Sequence, residues 1–313
     1  MPGGVGVPIN GIFAPVLFLV MRYLDPKNDL TFKKIFGTHP HLLKSFLNAL
    51  LPLSSPIDTL EYLPAELVPE LPILKHSIVD VRCIDEKGHQ FIVEMQMFWT
   101  DSFKSRVVFN ASKAYVQQLS RGREYVGLQP VYALSLVNEI YEHNTTEFYH
   151  HYSLVHSVVP AMKLEGLEFV FVELPKFKPQ TIVDKKMQVL WLRYLTEIKD
   201  STENIPAELL NNPETNEAVE YLRESAFSRA ELAGYDRYWD GIQTERTLYL
   251  ERGIEGERRG EARGEARGEA RGEINGAQKK ALETAQNLKQ MSVLTNEQIA
   301  EATSLTLNQV VNL

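Results

Sequence analysis

The sequence predicts an α/β or α+β fold, and three observations favour this class. Amphipathic helical spacing covers residues 28–50. Alternating apolar and polar residues at 77–84 and 90–98 are typical of two half-buried strands. A third helical segment at 101–121 precedes the apolar run 131–137, which has the length and composition of a buried strand. Helices that alternate with strands in this way predict a sheet covered by helices.

The remaining elements follow in chain order. Within the first segment, one helix is expected at 29–36 with Gly37 at its end, and a second at 41–51, before Pro52. A proline-rich stretch then leaves room for one strand near 59–63. Residues 167–173 predict a further buried strand, and from Val183 onward the pattern is helical.

The segment 77–98 predicts a hairpin with a defined register. If Gly88 takes the left-handed position of a three-residue loop, the numbers of paired residues add up to 174. One face is then wholly apolar, with the pairs Val79–Met95, Val81–Val93 and Cys83–Phe91. The other face carries the pairs Ile78–Gln96, Asp80–Glu94 and Arg82–Ile92. A slip of one residue would mix the two faces, so the alternation supports this register.

That register places two carboxylates directly opposite each other. Asp80 and Glu94 would lie about 4.5–5.5 Å apart at Cβ, where like charges are destabilising unless a cation lies between them. Mg²⁺ is commonly held by one or two carboxylates and lowers the pKa of a bound water. Gln96 would face the same side as Glu94, and the Met95 carbonyl could add an oxygen ligand. Gln96 cannot act as a general base, because its amide does not titrate. An ordinary solvated polar face is the alternative.

Composition restricts the class of protein. The single cysteine, Cys83, excludes a disulfide framework and fits a reducing cytoplasm, where we expect the protein to be. The net charge is −8, yet residues 21–50 and 101–130 each carry five Lys or Arg against two Asp or Glu. Much of the acidity lies in 201–250, so local positive surfaces remain available for a polyanion.

The predicted helix 101–121 has one polar face and one apolar face. The polar side chains recur at spacings of three and four: Arg106, Asn110, Lys113, Gln117 and Arg121. Phe103, Val107, Ala114 and Tyr115 form the side expected to be buried. Basic and amide side chains beside the hairpin could hold phosphate groups, and a merely solvated helix face is the alternative.

The two ends of the chain differ from its centre. Residues 1–20 are an extension, either genuine or preceding a true start at Met21, and their apolar run is too short to cross a membrane.

The core domain is expected at 21–175 and a helical region at 183–250. Residues 251–276 repeat Gly-Glu-Ala-Arg and form either a solvated linker or a helix whose glycine stripe joins copies of the chain. In the tail, 277–313, capping boxes at Thr295 and Thr306 predict two short helices. The lack of a basic face favours a small interaction module, and a helix-turn-helix that reads DNA is the alternative.

Several of these motifs together resemble one protein family. They are the opening Asp25-Pro-Lys-Asn-Asp-Leu-Thr-Phe-Lys-Lys-Ile-Phe-Gly37, the hairpin residues Ile78–Arg82, Asp85, Gly88 and Val93–Gln96, and then Phe103, Arg106, Tyr115, Gln118, Gly122 and Tyr125. This combination resembles the PD-(D/E)XK nuclease family transposases, which include the recombination-promoting nucleases. The resemblance covers residues 21–140 most fully.

The resemblance implies a restriction-endonuclease-like αβββαβ core with a helical C-terminal extension. It also implies a DNA endonuclease that depends on Mg²⁺, or on Mn²⁺, and is linked to recombination or transposition. Asp80 matches the metal-binding aspartate and Glu94 the second acidic residue, while Gln96 stands where the general motif has lysine. Asp29 matches the acidic position of the first helix. A nuclease fold that has lost catalysis and binds DNA or a protein as an oligomer is the alternative.

From the resemblance and the helix pattern together, we expect the following roles. Asp80, Glu94 and the Met95 carbonyl would bind the metal, and Gln96 would position water or phosphate. Asp29 and Lys33 would assist, although Asp29 also suits a purely structural place in the first helical turn. Lys33, Arg106 and Lys113 would contact DNA phosphates. No membrane association is expected, and the C-terminal helices are expected to form a homo-oligomer.

Overall fold

The structure is a computed structural model and describes residues 22–67, 77–119, 124–179 and 186–313. The extension 1–20, and Met21 as a start, lie outside the described residues. The chain divides into two compact units, Met1–Ile242 and Gln243–Leu313.

The described helices and strands follow the predicted order. The helices are α1 (Asp29–Phe36), α2 (Pro40–Leu50), α3 (Asp101–Val116), α4 (Lys186–Glu197), α5 (Ala207–Leu210), α6 (Pro213–Glu220), α7 (Arg229–Met291), α8 (Asn296–Thr303) and α9 (Leu307–Val311). The strands are β1 (Leu60–Tyr62), β2 (Glu66–Leu67), β3 (Ser77–Ile78), β4 (Val81–Asp85), β5 (Gln90–Gln96), β6 (Val131–Val137), β7 (Tyr149–Val155) and β8 (Lys163–Glu173).

Six strands form a mixed sheet in the order β1-β4-β5-β6-β8-β7. β5, β6 and β8 run parallel, and the other neighbours are antiparallel. The connection from β5 to β6 passes through α3, as a parallel pair requires a crossover. The α/β class and the αβββαβ order are therefore confirmed: α2, β1, β4, β5, α3 and β6 follow one another, with the small β2–β3 pair inserted between β1 and β4.

Each face of the sheet has its own core. On one face, α1, α2 and α4 bury Phe36, Phe46 and Trp191 against strand residues such as Val93. On the other face, α3 buries a stripe that includes Phe103, with Val107, Ala111 and Ala114 further along the helix. The sheet is thus the middle layer of three, and the carboxyl end of β5 lies where α3 begins.

The register of the hairpin agrees with the prediction over its closed end. Val81 pairs with Val93 and Cys83 with Phe91, so the paired numbers add up to 174. Gly88 has a φ of +88°, which is the left-handed conformation that the loop required.

The prediction for the outer part of the hairpin, away from its loop, is wrong. The expected strand 77–84 is interrupted at residues 79–80, and its first part pairs with β2 instead of β5. The pairs Ile78–Gln96 and Val79–Met95 do not form; the Val79 N–H donates to the Ala65 carbonyl at 3.1 Å. Val79 therefore joins the core beneath α3, on the opposite face from Val81. The cause is Asp80, whose carboxylate takes the place of a backbone acceptor.

Two element boundaries and the burial of one residue also differ from the prediction. The helix predicted to reach residue 121 ends at Val116, and Arg121 lies outside the described residues. Asn110, expected on the exposed polar face of that helix, is only 1% exposed. β8 begins at Lys163 instead of 167, because β7 pairs with it through a hairpin that the sequence pattern did not reveal.

A buried polar network fixes the start of α1. Asn28 caps the helix, with its Oδ1 accepting from the Leu30 N–H at 3.0 Å. Lys27 is buried and pairs with Asp25, and the Asp25 N–H donates to the Tyr235 hydroxyl at 2.9 Å. That hydroxyl donates in turn to Asp200 Oδ1 at 2.5 Å. Since Tyr235 belongs to the first turns of α7, the N-terminal motif and the first part of that helix are held together.

The second unit consists of the rest of α7 and the short helices α8 and α9. The Gly-Glu-Ala-Arg repeats lie within α7, a single helix of 63 residues. A Cβ added at Gly260, Gly264 or Gly268 would meet no atom within 4 Å, so within the described chain the stripe is bare. Both predicted capping boxes, at Thr295 and Thr306, are confirmed.

A small apolar core closes the tail. It consists of Ala285 from α7 together with Ile299, Leu305 and Val310. Among all the described helices, none combines the length and the hydropathy needed to cross a membrane.

We expect Tyr235→Phe to lower the free energy of unfolding by about 1–3 kcal/mol, because the buried Asp25 N–H loses its acceptor. Urea denaturation followed by circular dichroism would measure the change. Tyr249→Phe is the matched control, since Tyr249 is 67% exposed and its loss should stay within about 0.5 kcal/mol. Equal stability of wild type and Tyr235→Phe would contradict the role given to this network.

Candidate active site

The interrupted hairpin opens a cavity of about 800 Å³ between β5, the bend at Asp80 and the first turns of α3. Asp80, Glu94, Met95 and Gln96, which the sequence grouped together, all line it. The other lining residues are Ser77, Ile78, Ser102, Ser105, Arg106, Phe109 and Asn110. The structure therefore brings the predicted hairpin residues to one concave surface.

Asp80 lies at the bend and is held by a backbone donor. Its Oδ2 accepts from the Met95 N–H at 2.7 Å, and the Lys33 Nζ is 3.6 Å from its Oδ1. Burial raises the pKa of Asp80, and the Met95 hydrogen bond and the Lys33 charge only partly oppose this. The carboxylate is thus fixed in position but costly to ionise.

Glu94 is the more deeply buried of the two carboxylates, with 7% of its surface exposed. Its Oε1 accepts from the Asn110 Nδ2 at 3.0 Å, and the Arg106 Nη2 lies 3.5 Å from its Oε2. Burial raises the pKa of Glu94, and the charge of Asp80 raises it further. The ladder between β4 and β5 ends at Val81, so Asp80 and Glu94 do not form the predicted strand pair, but both side chains line the cavity.

Gln96 is held at both ends of its amide. Its Oε1 accepts from the Arg106 Nη2 at 2.6 Å, and its Nε2 donates to the Phe98 carbonyl at 2.5 Å. The guanidinium of Arg106 consequently contacts both Gln96 and Glu94. A positive group thus stands beside the position at which the general family motif has lysine.

Asp29 and Lys33 of α1 do not line the cavity, but Lys33 approaches Asp80 at its edge. The Lys33 Nζ lies 2.6 Å from Asp29 Oδ1, one helical turn away, and extends to Asp80. Burial by itself would lower the pKa of Lys33, but the two carboxylates raise it overall. Lys33 thus remains a cation beside Asp80, and Asp29 acts on the site through Lys33.

Lys113 occupies a different place from the one expected for a phosphate contact. Its Nζ donates to the Leu67 carbonyl at 2.6 Å and lies 3.5 Å from Ser77 Oγ. It ties α3 to the β2–β3 pair and does not line the cavity. Its contribution to the site is therefore to support the wall on which Ser77 and Ile78 lie.

Asn110 is the site residue that the sequence analysis did not single out as such. It was placed on the polar face of α3 that could hold phosphate groups, but its amide is buried against Glu94. Its Oδ1 is also buried and has no hydrogen-bond partner in the structure. The available signal was its spacing of four residues from Arg106, which places both side chains on one side of the helix.

The donor set matches a hard divalent cation only if backbone or amide oxygens contribute. Among the described residues, no cluster of three or more His, Cys, Asp or Glu could hold a metal ion. Two carboxylates, Asp80 and Glu94, are nevertheless sufficient for Mg²⁺, which keeps several waters. In a strand, the N–H and C=O of one residue point to the same neighbour, so the Met95 carbonyl is directed towards the Asp80 side, as its N–H is.

A comparison with protein families agrees with the resemblance noted in the sequence. A family model described as PD-(D/E)XK nuclease family transposase matches residues 26–240, which include α1, the hairpin, α3 and Tyr235. Neither the curated proteins nor the solved structures give a match. The resemblance to this family is therefore confirmed over most of the first unit.

We expect Asp80→Asn to stabilise the protein in the absence of divalent cations, increasingly so as the pH rises. Burial raises the pKa of Asp80 above its ordinary 3.8, so its contribution to stability is fully present below about pH 3.8. That contribution is lost as the pH rises through the raised pKa, whereas asparagine stays neutral.

Free energies of unfolding in EDTA between pH 4 and pH 8 would test this difference. Asp236→Asn, at an exposed position of α7, is the control and should follow wild type at every pH. A difference between Asp80→Asn and wild type that did not change with pH would contradict the burial argument.

Proposed function

Because the chain belongs to the PD-(D/E)XK nuclease family transposases, which are nucleases acting on DNA, we propose that it is a Mg²⁺-dependent DNA endonuclease. The observation that carries the proposal is the pair of carboxylates lining one cavity, the half-buried Asp80 and the buried Glu94, where burial raises the pKa of each and the charge of Asp80 further raises that of Glu94. Bringing like charges together in a buried site is energetically costly unless a cation lies between them, and such arrangements are concentrated at functional sites. We further propose that the breaks it makes serve recombination or transposition, in keeping with the family's description.

Asp80, Glu94 and the Met95 carbonyl would hold Mg²⁺, or Mn²⁺ in its place. When bound, such an ion polarises a phosphate oxygen and lowers the pKa of a bound water. The hydrogen bond from Asn110 fixes which Glu94 oxygen remains available, since Oε1 is already occupied. Likewise, the Met95 N–H already occupies Oδ2 of Asp80, which leaves Oδ1 of that carboxylate available.

The cations of the site are suited to binding the DNA backbone. Arg106 is 48% exposed in its side chain and Lys33 41%, so both reach solvent while remaining beside a carboxylate. A guanidinium can contact two phosphate oxygens at once, and an ammonium acts as a point charge. Asp29 keeps Lys33 oriented, and Gln96 would direct a hydrogen bond to water or phosphate without taking a proton.

One observation favours a second function. Lys33 and Arg106 already lie beside Asp80 and Glu94, so cations of the chain itself partly offset these charges without a metal. Together with Gln96 in place of lysine, this is the pattern expected of a nuclease fold that binds DNA or a protein without cleaving it. The absence of DNA cleavage by a correctly folded wild-type protein would favour this second function.

Two further expectations belong to the proposal. The bare glycine stripe of α7 would join copies of the chain, which light scattering of the full protein would test. The lone cysteine Cys83, which is buried, agrees with a cytoplasmic location, which fractionation of cells would test.

The endonuclease proposal predicts nicking of supercoiled plasmid in the presence of Mg²⁺ or Mn²⁺ and none in EDTA. Asp80→Ala and Glu94→Ala should each lower the rate by more than about 100-fold, because even outer partners of metal ligands commonly cost 10- to 100-fold. Agarose gel electrophoresis of timed samples gives the rates. Glu61→Ala removes an exposed carboxylate of β1 and should leave the rate unchanged.

Arg106 stands in for the missing lysine in this proposal, and a double-mutant cycle tests that role. Gln96→Lys alone should lower the nicking rate by about 10-fold, because the new ammonium meets the Arg106 guanidinium. Combining it with Arg106→Gln should recover most of the loss, since one cation then remains beside Glu94. A rate for Gln96→Lys alone that equals or exceeds wild type would show that Arg106 does not fill this role.

A further inference from the structure

Two exposed apolar side chains share the cavity with the carboxylates. Ile78 is 70% exposed and Phe109 is 45% exposed, and both line the same cavity as Asp80 and Glu94. Neither belongs to the cores on the two faces of the sheet. The packing of the described residues therefore does not account for them.

The backbone places both side chains at the cavity for identifiable reasons. Val79 turns inward to the core beneath α3, so Ile78, its neighbour in an extended segment, is directed outward. On α3, Phe109 follows Arg106 by three residues, which puts ring and guanidinium on the same side of the helix. The Lys113 ammonium lies 5.6 Å from the centre of the Phe109 ring.

We propose that Phe109, with Ile78 in the same cavity, is a stacking site for an unpaired DNA base next to the phosphate held by Arg106. The proposal deepens the endonuclease function and rests on it for the identity of the polymer. Every base has an aromatic face, and stacking on a protein ring is tolerant of sequence. The cavity of about 800 Å³ is within the roughly 300–1,000 Å³ typical of pockets that enclose a small ligand.

The chemistry of the cavity favours this occupant over others. Its lining combines two carboxylates and the Arg106 guanidinium, with Lys33 beside Asp80, and it also includes an aromatic ring and a branched aliphatic chain. A nucleotide has the matching halves, an anionic phosphate and an apolar base. In an intact duplex the bases are stacked and paired, so only single-stranded or locally unpaired DNA can present one. The substrate class is therefore DNA with an unpaired nucleotide at the site of cleavage.

Binding in EDTA isolates this site from any catalysis. Fluorescence anisotropy would compare a labelled 12-nucleotide single strand with the same strand carrying abasic sites, which keeps the phosphates and removes the bases. Wild type should bind the normal strand roughly 5- to 100-fold more tightly, as stacking of one base gives. Phe109→Ala should lose that preference while keeping its affinity for the abasic strand, and Phe109→Tyr should retain it.

A second readout separates stacking from a structural role. Phe109→Trp should show additional quenching of tryptophan fluorescence on binding the normal strand, relative to wild type, and none with the abasic strand. Tyr125→Ala, an aromatic 81% exposed outside the cavity, is the control and should behave as wild type.

The outcomes are distinct. Equal affinity of wild type for normal and abasic strands, or a Phe109→Ala variant that weakens both equally, would overturn the stacking site. Base-dependent binding without plasmid nicking in Mg²⁺ would leave the stacking site standing and reject the endonuclease proposal. Nicking without base dependence would do the reverse.

Discussion

The hydrogen bond from the Met95 N–H to the Asp80 carboxylate is the interaction on which the rest of the site depends. It gives a strand donor a side-chain acceptor in place of a backbone one, at 2.7 Å, so the ladder between β4 and β5 ends at Val81. The residues before Asp80 are then free to pair with β2, on the other side of the bend. A continuous hairpin would leave a flat polar face, whereas the interruption creates a concave one with Asp80 at its edge.

Burying two carboxylates at such a point imposes a second constraint, which concerns charge. Lys33 from α1 lies beside Asp80 and Arg106 from α3 lies beside Glu94, so two helices supply cations that partly offset these carboxylates. α1 is in turn fixed by Asn28 and by the network that reaches Tyr235 of α7. The region matched by the family model includes both α1 and the first turns of α7.

The sequence alone predicted the features that depend on hydrophobic periodicity and turn chemistry. It did not predict the features that depend on which of two acceptors a backbone N–H selects. The left-handed Gly88 and the alternation around it gave the register, and the spacing of Glu94 and Gln96 gave their common side. The bend at Asp80 could not be predicted, because a carboxylate and a backbone carbonyl compete for one N–H and pattern does not decide between them. Asn110 was misjudged for a similar reason, since an amide at a polar helical position is buried only because Glu94 lies opposite it.

The same competition bears on how the site would work. Lys33 and Arg106 are bound to carboxylates and remain 41% and 48% exposed, so each can exchange a carboxylate for a phosphate without moving far. A cation that leaves Asp80 or Glu94 for DNA leaves that carboxylate unbalanced, and a divalent ion between the two restores the balance. On the proposed function, binding of DNA and binding of metal therefore favour each other, since each satisfies the charge that the other exposes. Gln96 fits this scheme better than lysine would, because a second fixed cation beside Glu94 would reduce the need for the metal.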